Sequence, residues 1–183
     1  QAFFDDHAIP YETIPLADHG DTLRAVVSGG DGNRPILLCG HRDTVFATGE
    51  VKKRPFSTRD GKAFGPGVAD MKPGLVINAF ILAAFHKFGG HPNPLIGLFT
   101  GDEEIGSPSS KDIIIAEAEK ARLAFNSEPS RPSGNIVTQR KGGIFCHCAI
   151  KGVAAHSGGF FTEGRSAIQE LAYKIQALHE LTD

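Results

Sequence analysis

Short continuous apolar runs alternate with segments of helical period along the first two thirds of the chain. Residues 35–39, 95–100 and 123–126 are short apolar runs, the last two ending in Thr100 and Asn126, which predicts strands buried on both faces. Residues 11–16 and 22–28 read as two further strands, joined by a turn at Asp18-His19-Gly20-Asp21. A Gly/Asp loop is expected over 28–33, and a small hairpin over 56–64 turning at Asp60-Gly61. Residues 74–88 carry Leu75, Ala79, Leu82 and Ala83 on one helical face and stop at Gly89-Gly90. Residues 107–121 read as a second helix, with Ser107 as its cap and Pro108 in its first turn. Strand and helix in alternation predict an α/β fold, a mainly parallel sheet flanked by helices.

The pattern changes at Lys141-Gly142-Gly143. A more alternating strand is expected over 144–151 and a loop over 152–164. An amphipathic helix follows over 165–181, with Ile168, Leu171, Ile175 and Leu178 on its apolar face and a Glu170–Lys174 pair at i,i+4. One strand and one helix cannot bury a core alone. The expectation is therefore a domain over 1–141 and the beginning of a second, α+β domain over 142–183.

Composition narrows the partners. Apolar residues make up 40% of the chain and charged residues 22%, the profile of a globular protein. A formal net charge of −2 and a pI near 6.5 give no electrostatic case for nucleic acid or an anionic membrane. No apolar stretch is long enough to span a bilayer, and the N-terminus, with Asp5 and Asp6, lacks a signal-peptide pattern. Three cysteines cannot pair completely within one chain, which favours a reducing compartment; the expected location is cytoplasmic. Cys146-His147-Cys148 invites a metal reading, but alternation along a strand would split it, so partly buried strand cysteines are expected there. The chain starts at Gln1 and its single Met is Met71, so a processed or truncated chain is expected.

The chemistry gathers after the apolar runs. Gly40-His41-Arg42-Asp43-Thr44-Val45 follows the first, Asp102-Glu103-Glu104-Ile105-Gly106-Ser107 the second, and Glu128-Pro129 the third. Gly65-Pro66-Gly67-Val68-Ala69-Asp70 precedes the first long helix. A parallel sheet brings such strand ends to one edge, so one His and several carboxylates would converge into a site for a hard or borderline divalent cation, zinc first. Asp43, two residues beyond His41, can give the imidazole a second-sphere partner. Adjacent Glu103 and Glu104 diverge, so one can bind metal while the other serves as general base. Each piece has a plainer reading: Asp70 as a helix cap, the acids as a solvated turn, Glu128 as a loop residue, and His156 in Ala154-Ala155-His156-Ser157-Gly158-Gly159 as a structural histidine. His41-Arg42-Asp43 also matches the kinase catalytic loop, but Thr48 stands where an Asn is needed and no Gly-rich loop precedes it.

Taken together, Gly-His-x-Asp-Thr-Val, Gly-Pro-Gly-x-Ala-Asp, Asp-Glu-Glu-x-Gly-Ser, Glu-Pro and Ala-His-Ser-Gly resemble the aminoacylase and glutamate carboxypeptidase family of dinuclear zinc hydrolases. The order and spacing are kept along essentially the whole chain, and the Gly-Pro-Gly form is most similar to the glutamate carboxypeptidase branch. The resemblance implies a zinc-exopeptidase-like catalytic domain followed by a lid and dimerisation domain. It implies two Zn2+, with Co2+ or Mn2+ as substitutes. His41 and Glu128 would hold one ion, Asp70 would bridge, and Glu104 would hold the other. Asp43 would orient His41, and Glu103 would deprotonate the bridging water and protonate the leaving amine. A cis peptide is implied at Asp70-Met71. His156 would hold the substrate or its oxyanion, often from a dimer mate, so a homodimer through the lid is expected.

The family carries a further zinc-ligating His after the lid, and lid residues that grip the substrate carboxylate; this chain has neither. The 183 residues alone are expected to bind the second ion poorly and to have little activity. The expected function is zinc-dependent cleavage of an amide bond next to a free carboxylate, on a small peptide or N-acyl amino acid. An N-acyl amino acid deacylase or desuccinylase is the alternative within the same chemistry. A non-catalytic metal-binding relative is the alternative outside it, and Glu103 argues against that one.

Overall fold

The computed structural model describes residues 1–30, 34–143 and 145–181. It divides into two compact units, residues 1–136 and 137–183. In the first unit the element order is α1 (Ala2–Asp6), β1 (Tyr11–Ile14), β2 (Thr22–Val27), β3 (Ile36–His41), α2 (Glu50–Lys53), β4 (Ser57–Arg59), β5 (Lys62–Phe64), α3 (Lys72–Lys87), β6 (Leu95–Thr100), α4 (Lys111–Lys120) and β7 (Leu123–Asn126).

Five strands form one sheet in the order β1-β2-β6-β3-β7. β3 runs parallel to both β6 and β7, while β2 is antiparallel to β6 and to β1. Four strands therefore point one way and only β2 the other, as the apolar runs predict. Side chains alternate across the pleat into two cores. Leu38, Leu95 and Phe99 pack with Leu82 and Ala83 of α3 and Phe4 of α1. Leu37, Ile96 and Leu98 pack on the opposite face with Ile113 and Ile114 of α4. Gly97 lets α3 lie close, since a Cβ there would stand 2.6 Å from Leu82 Cδ1. Arg34 closes the C-terminal end of α4, donating to the carbonyls of Glu119, Lys120 and Ala121. The hairpin β4–β5 turns as expected, with positive φ at both Asp60 and Gly61.

Four expectations are corrected. β7 has the predicted bounds but is an exposed edge strand rather than a buried one, because among the described residues it pairs only with β3; Leu123 and Phe125 are about half exposed. The helix expected from Ser107 starts at Lys111. Ser107 has φ +55, outside the helical region, and the turn before α4 winds around the carboxylate of Asp102 instead. Residues 145–151 form no strand, because no described segment offers them a ladder; Ile144 lies outside the described residues. Cys146 and Cys148 are accordingly exposed rather than partly buried. Of the expected 28–33 loop, residues 31–33 lie outside the described residues.

The second unit contains α5 (Ala167–His179) and a bridge between Val153 and Arg165. Ser166 caps α5 by accepting the N–H of Gln169, and Lys174 pairs with Glu170 at 3.0 Å. None of its described residues is buried, and Ile168, Ile175 and Leu178 lie exposed along α5. Among the described residues no helix is long and apolar enough to cross a membrane.

Candidate metal centre

The carboxyl ends of β3, β6 and β7 lie side by side, with His41 opposite Thr100 and Cys39 opposite Asn126. The residues that follow each strand therefore emerge on one edge. His41 ends β3 and is 2% exposed; its N–H points at Met71 Sδ, 3.1 Å away. Its Nδ1 lies 3.1 Å from the Asp43 carbonyl and 3.4 Å from the Asp43 carboxylate. A proton on Nδ1 is held there, which turns the Nε2 lone pair towards the opposite side.

On that side three carboxylates converge. Nε2 is 3.0 Å from Asp70 Oδ1, 3.3 Å from Glu128 Oε1 and 3.7 Å from Glu103 Oε2. Donor atoms of His41, Asp70 and Glu104 lie within 4.8 Å of one another, as do those of His41, Glu103 and Glu128. Glu103 thus joins the cluster too, 3.7 Å from Nε2, farther out than Asp70 and Glu128.

Each acid is positioned by local chemistry. Asp70 sits at the end of a loop that needs glycine, with φ +142 at Gly65 and +74 at Gly67. Lys72 ties that loop, donating Nζ to the Pro66 carbonyl at 2.7 Å and its N–H to Gly67 at 3.0 Å. The Asp70–Met71 peptide is cis. Glu103 and Glu104 lie in a 3-10 turn just after β6. Asp102, 1% exposed, accepts the N–H groups of Ser109 and Ser110 at 2.8 and 3.0 Å and the Ser110 hydroxyl. The Asp43 carboxylate accepts the Glu104 N–H at 2.9 Å. Asn78 of α3 donates to the Cys39 carbonyl at 3.0 Å and accepts the Ser127 hydroxyl at 2.6 Å, fixing the ends of β3 and β7 together. Gly74 lies against the Ser127 carbonyl, where a Cβ would have no room.

The electrostatics follow from crowding. Burial and the neighbouring Asp70, Glu103 and Asp43 push the Glu104 carboxyl up, against the opposing pull of His41. Burial, Asp70 and Glu103 do the same to Glu128. Burial alone would lower the His41 imidazole, but Glu128, the Asp43 carbonyl, Glu103 and the Asp43 carboxylate outweigh it and raise it. Such a group of acids around one imidazole is relieved by a cation, and the nitrogen and carboxylate donors suit Zn2+, Co2+ or Mn2+.

The edge gathers His41, Asp43, Asp70, Glu103, Glu104 and Glu128. His156 belongs to the second unit, where its exposed Nδ1 accepts the N–H groups of Gly158 and Gly159, both at 3.2 Å. Two supporting residues were not foreseen. Asn78 is a lone amide in an otherwise apolar helical run, which is a usable signal. Asp102 has partners seven and eight residues on, at no regular period, and gives none.

Residues 37–180 match the family model for Peptidase family M20/M25/M40, and the chain belongs to that family. It is 33% identical over 153 residues to carboxypeptidase G2 of Pseudomonas sp. (strain RS-16), covering 82% of this chain and 37% of that protein. It is 34% identical over 167 residues to the succinyl-diaminopimelate desuccinylase of Burkholderia ambifaria, covering 81% of this chain and 43% of that protein. The chain thus spans less than half the length of these relatives. In fold it resembles a tripeptidase from Staphylococcus aureus, with TM-score 0.64 at 17% identity over 96% of this chain and 48% of that one. It also resembles an M20 family metallo-carboxypeptidase from Sulfolobus solfataricus, with TM-score 0.58 at 16% identity over 73% of this chain and 32% of that one.

Proposed function

We propose that the protein is a dinuclear zinc hydrolase that cleaves an amide bond next to a free carboxylate, in the manner of a glutamate carboxypeptidase. The observation that carries this reading is the convergence of Asp70, Glu128 and Glu103 on His41 Nε2 at 3.0–3.7 Å. His41 and Glu128 would hold one ion, Glu104 the other, and Asp70 both. Zinc in such a site makes water acidic enough to react near neutral pH and polarises a carbonyl.

The remaining work falls to the chain. Glu103, with its side chain half exposed, takes the proton from the attacking water and returns it to the leaving nitrogen. Asp43 fixes the His41 ring through Nδ1 and the Glu104 backbone through its carboxylate. His156 would bind the substrate or its oxyanion. The exposed apolar residues of α5 support a homodimer through residues 142–183, with 1–141 as the catalytic part. The relationship to carboxypeptidase G2 supports the carboxypeptidase reading. The similar identity to a desuccinylase supports an N-acyl amino acid deacylase as second reading.

The test is hydrolysis by the zinc-loaded, full-length gene product on peptidyl and N-acyl amino acids with varied C-terminal residues. Selective release of glutamate is expected. Release of another amino acid from simple N-acyl donors would move the protein to the deacylase reading. No turnover at full zinc occupancy would leave a metal-binding protein without catalysis.

A further inference from the structure

β6 ends at Thr100 and α4 begins at Lys111, so Glu103 and Glu104 ride on residues 101–110, outside any strand or α-helix. This segment is a ring closed on Asp102. The Ser107 N–H donates to the Asp102 carbonyl at 2.8 Å, and the Asp102 carboxylate accepts the Ser109 and Ser110 N–H groups and the Ser110 hydroxyl. These bonds give the ring its shape but not its place on the sheet. Among the described residues, two hydrogen bonds to other elements give it that place. One runs from the Glu104 N–H to the Asp43 carboxylate. The other joins His19 Nδ1 and Ser109 Oγ at 2.7 Å, between residues 90 positions apart in the chain.

His19 stands in the β1–β2 turn, which is itself held. The Leu16 N–H donates to the Asp21 carboxylate at 3.3 Å. Gly20 lies so close that a Cβ on Gly101 would stand 2.5 Å from the Gly20 carbonyl oxygen. Either tautomer of the imidazole makes the bond to Ser109, a protonated Nδ1 donating to the hydroxyl oxygen or a bare Nδ1 accepting its proton.

We infer that His19 is a positioning residue for Glu103 and Glu104, pinning Ser109 and with it the Asp102 ring against the β1–β2 turn. The inference rests on the reading of Glu104 as ligand to the second ion and Glu103 as base. Released at Ser109, the ring is free to turn about the Asp43 bond, and both glutamates swing with it. A ligand oxygen must meet its ion to within a few tenths of an ångström, so a small swing weakens the ion that Glu104 holds. His41 and Glu128 follow β3 and β7 instead, and the ion they would share is spared.

The experiment compares the full-length protein with its His19→Ala, Ser109→Ala and His19→Asn variants. In the metal-free proteins, hydrogen exchange of the 102–110 amides is expected to quicken about 5-fold in His19→Ala and Ser109→Ala, the effect of one lost hydrogen bond. His19→Asn, whose side-chain amide reaches the place of Nδ1, is expected to restore the slower rate. Zinc titration is expected to show two steps, one of them weakened about 10-fold by His19→Ala and recovered in His19→Asn, the other unmoved. Unchanged exchange overturns the inference. Faster exchange with both zinc steps unmoved, or with both weakened alike, makes His19 a fold contact only and also overturns it. Uptake of fewer than two ions by the unsubstituted protein sinks the dinuclear reading instead, and the exchange rates still decide whether His19 holds the ring.

Discussion

The Asp43 carboxylate accepts the Glu104 N–H at 2.9 Å while the carbonyl of the same residue sits 3.1 Å from His41 Nδ1. One residue therefore couples two strand ends, β3 and β6, that each contribute a candidate ligand. Asp43→Ala is expected to weaken zinc binding by about 10- to 100-fold, the usual cost of losing an outer-sphere partner. Titration against a chromophoric chelator reads this directly. Unchanged affinity would mean that packing alone sets the His41 ring.

Glu103→Ala is expected to abolish turnover, by on the order of 100-fold or more, and to leave zinc content intact. Metal analysis of the purified variant beside its hydrolysis rate distinguishes the roles. Loss of both together would make Glu103 a ligand and reverse the division of work with Glu104.

Asp102 predicts a pH dependence of stability. Burial alone would raise its carboxyl. The Ser110 hydroxyl, the N–H groups of Ser109 and Ser110, and His19 outweigh burial and hold it below the usual range. A depressed carboxyl contributes stability above its ordinary value, near 3.9, and loses it as pH falls through the folded value. Asp102→Asn is expected to cost about 1–3 kcal/mol at pH 7. The gap to the Asp102 protein should narrow below about pH 4 in urea denaturation. A gap constant from pH 7 to 3 would show that the charge contributes nothing.

The cysteines divide by environment. Burial pushes the Cys39 thiol up to about 11, whereas Cys146 and Cys148 are exposed. At pH 8 a thiol reagent is expected to modify two groups quickly and the third only on unfolding. Three equal rates would contradict the packing of Cys39 against the core of Leu37, Ile96 and Leu98.

The sheet and its ligand edge were legible because the information was local. Apolar runs at 35–39 and 95–100 specify strands, and His41 and Glu103 follow them within a few residues. The start of α4 was not legible, because Ser109 and Ser110 bond to Asp102, a partner chosen by the fold rather than by sequence distance. The exposure of β7 was hidden for a related reason. Leu123 and Phe125 read as buried whether or not a neighbour covers them. Residues 145–151 show the converse: a strand pattern without a described ladder forms no strand.

His41 and Glu128 stand far apart along the chain, yet Asn78 holds the ends of their strands together beneath them. An ion gripped by both would close a loop enclosing α3, β6 and α4, and would act as a reversible cross-link of the first unit. Its removal would then loosen the architecture as well as the chemistry, since binding energy at such a site is also folding energy.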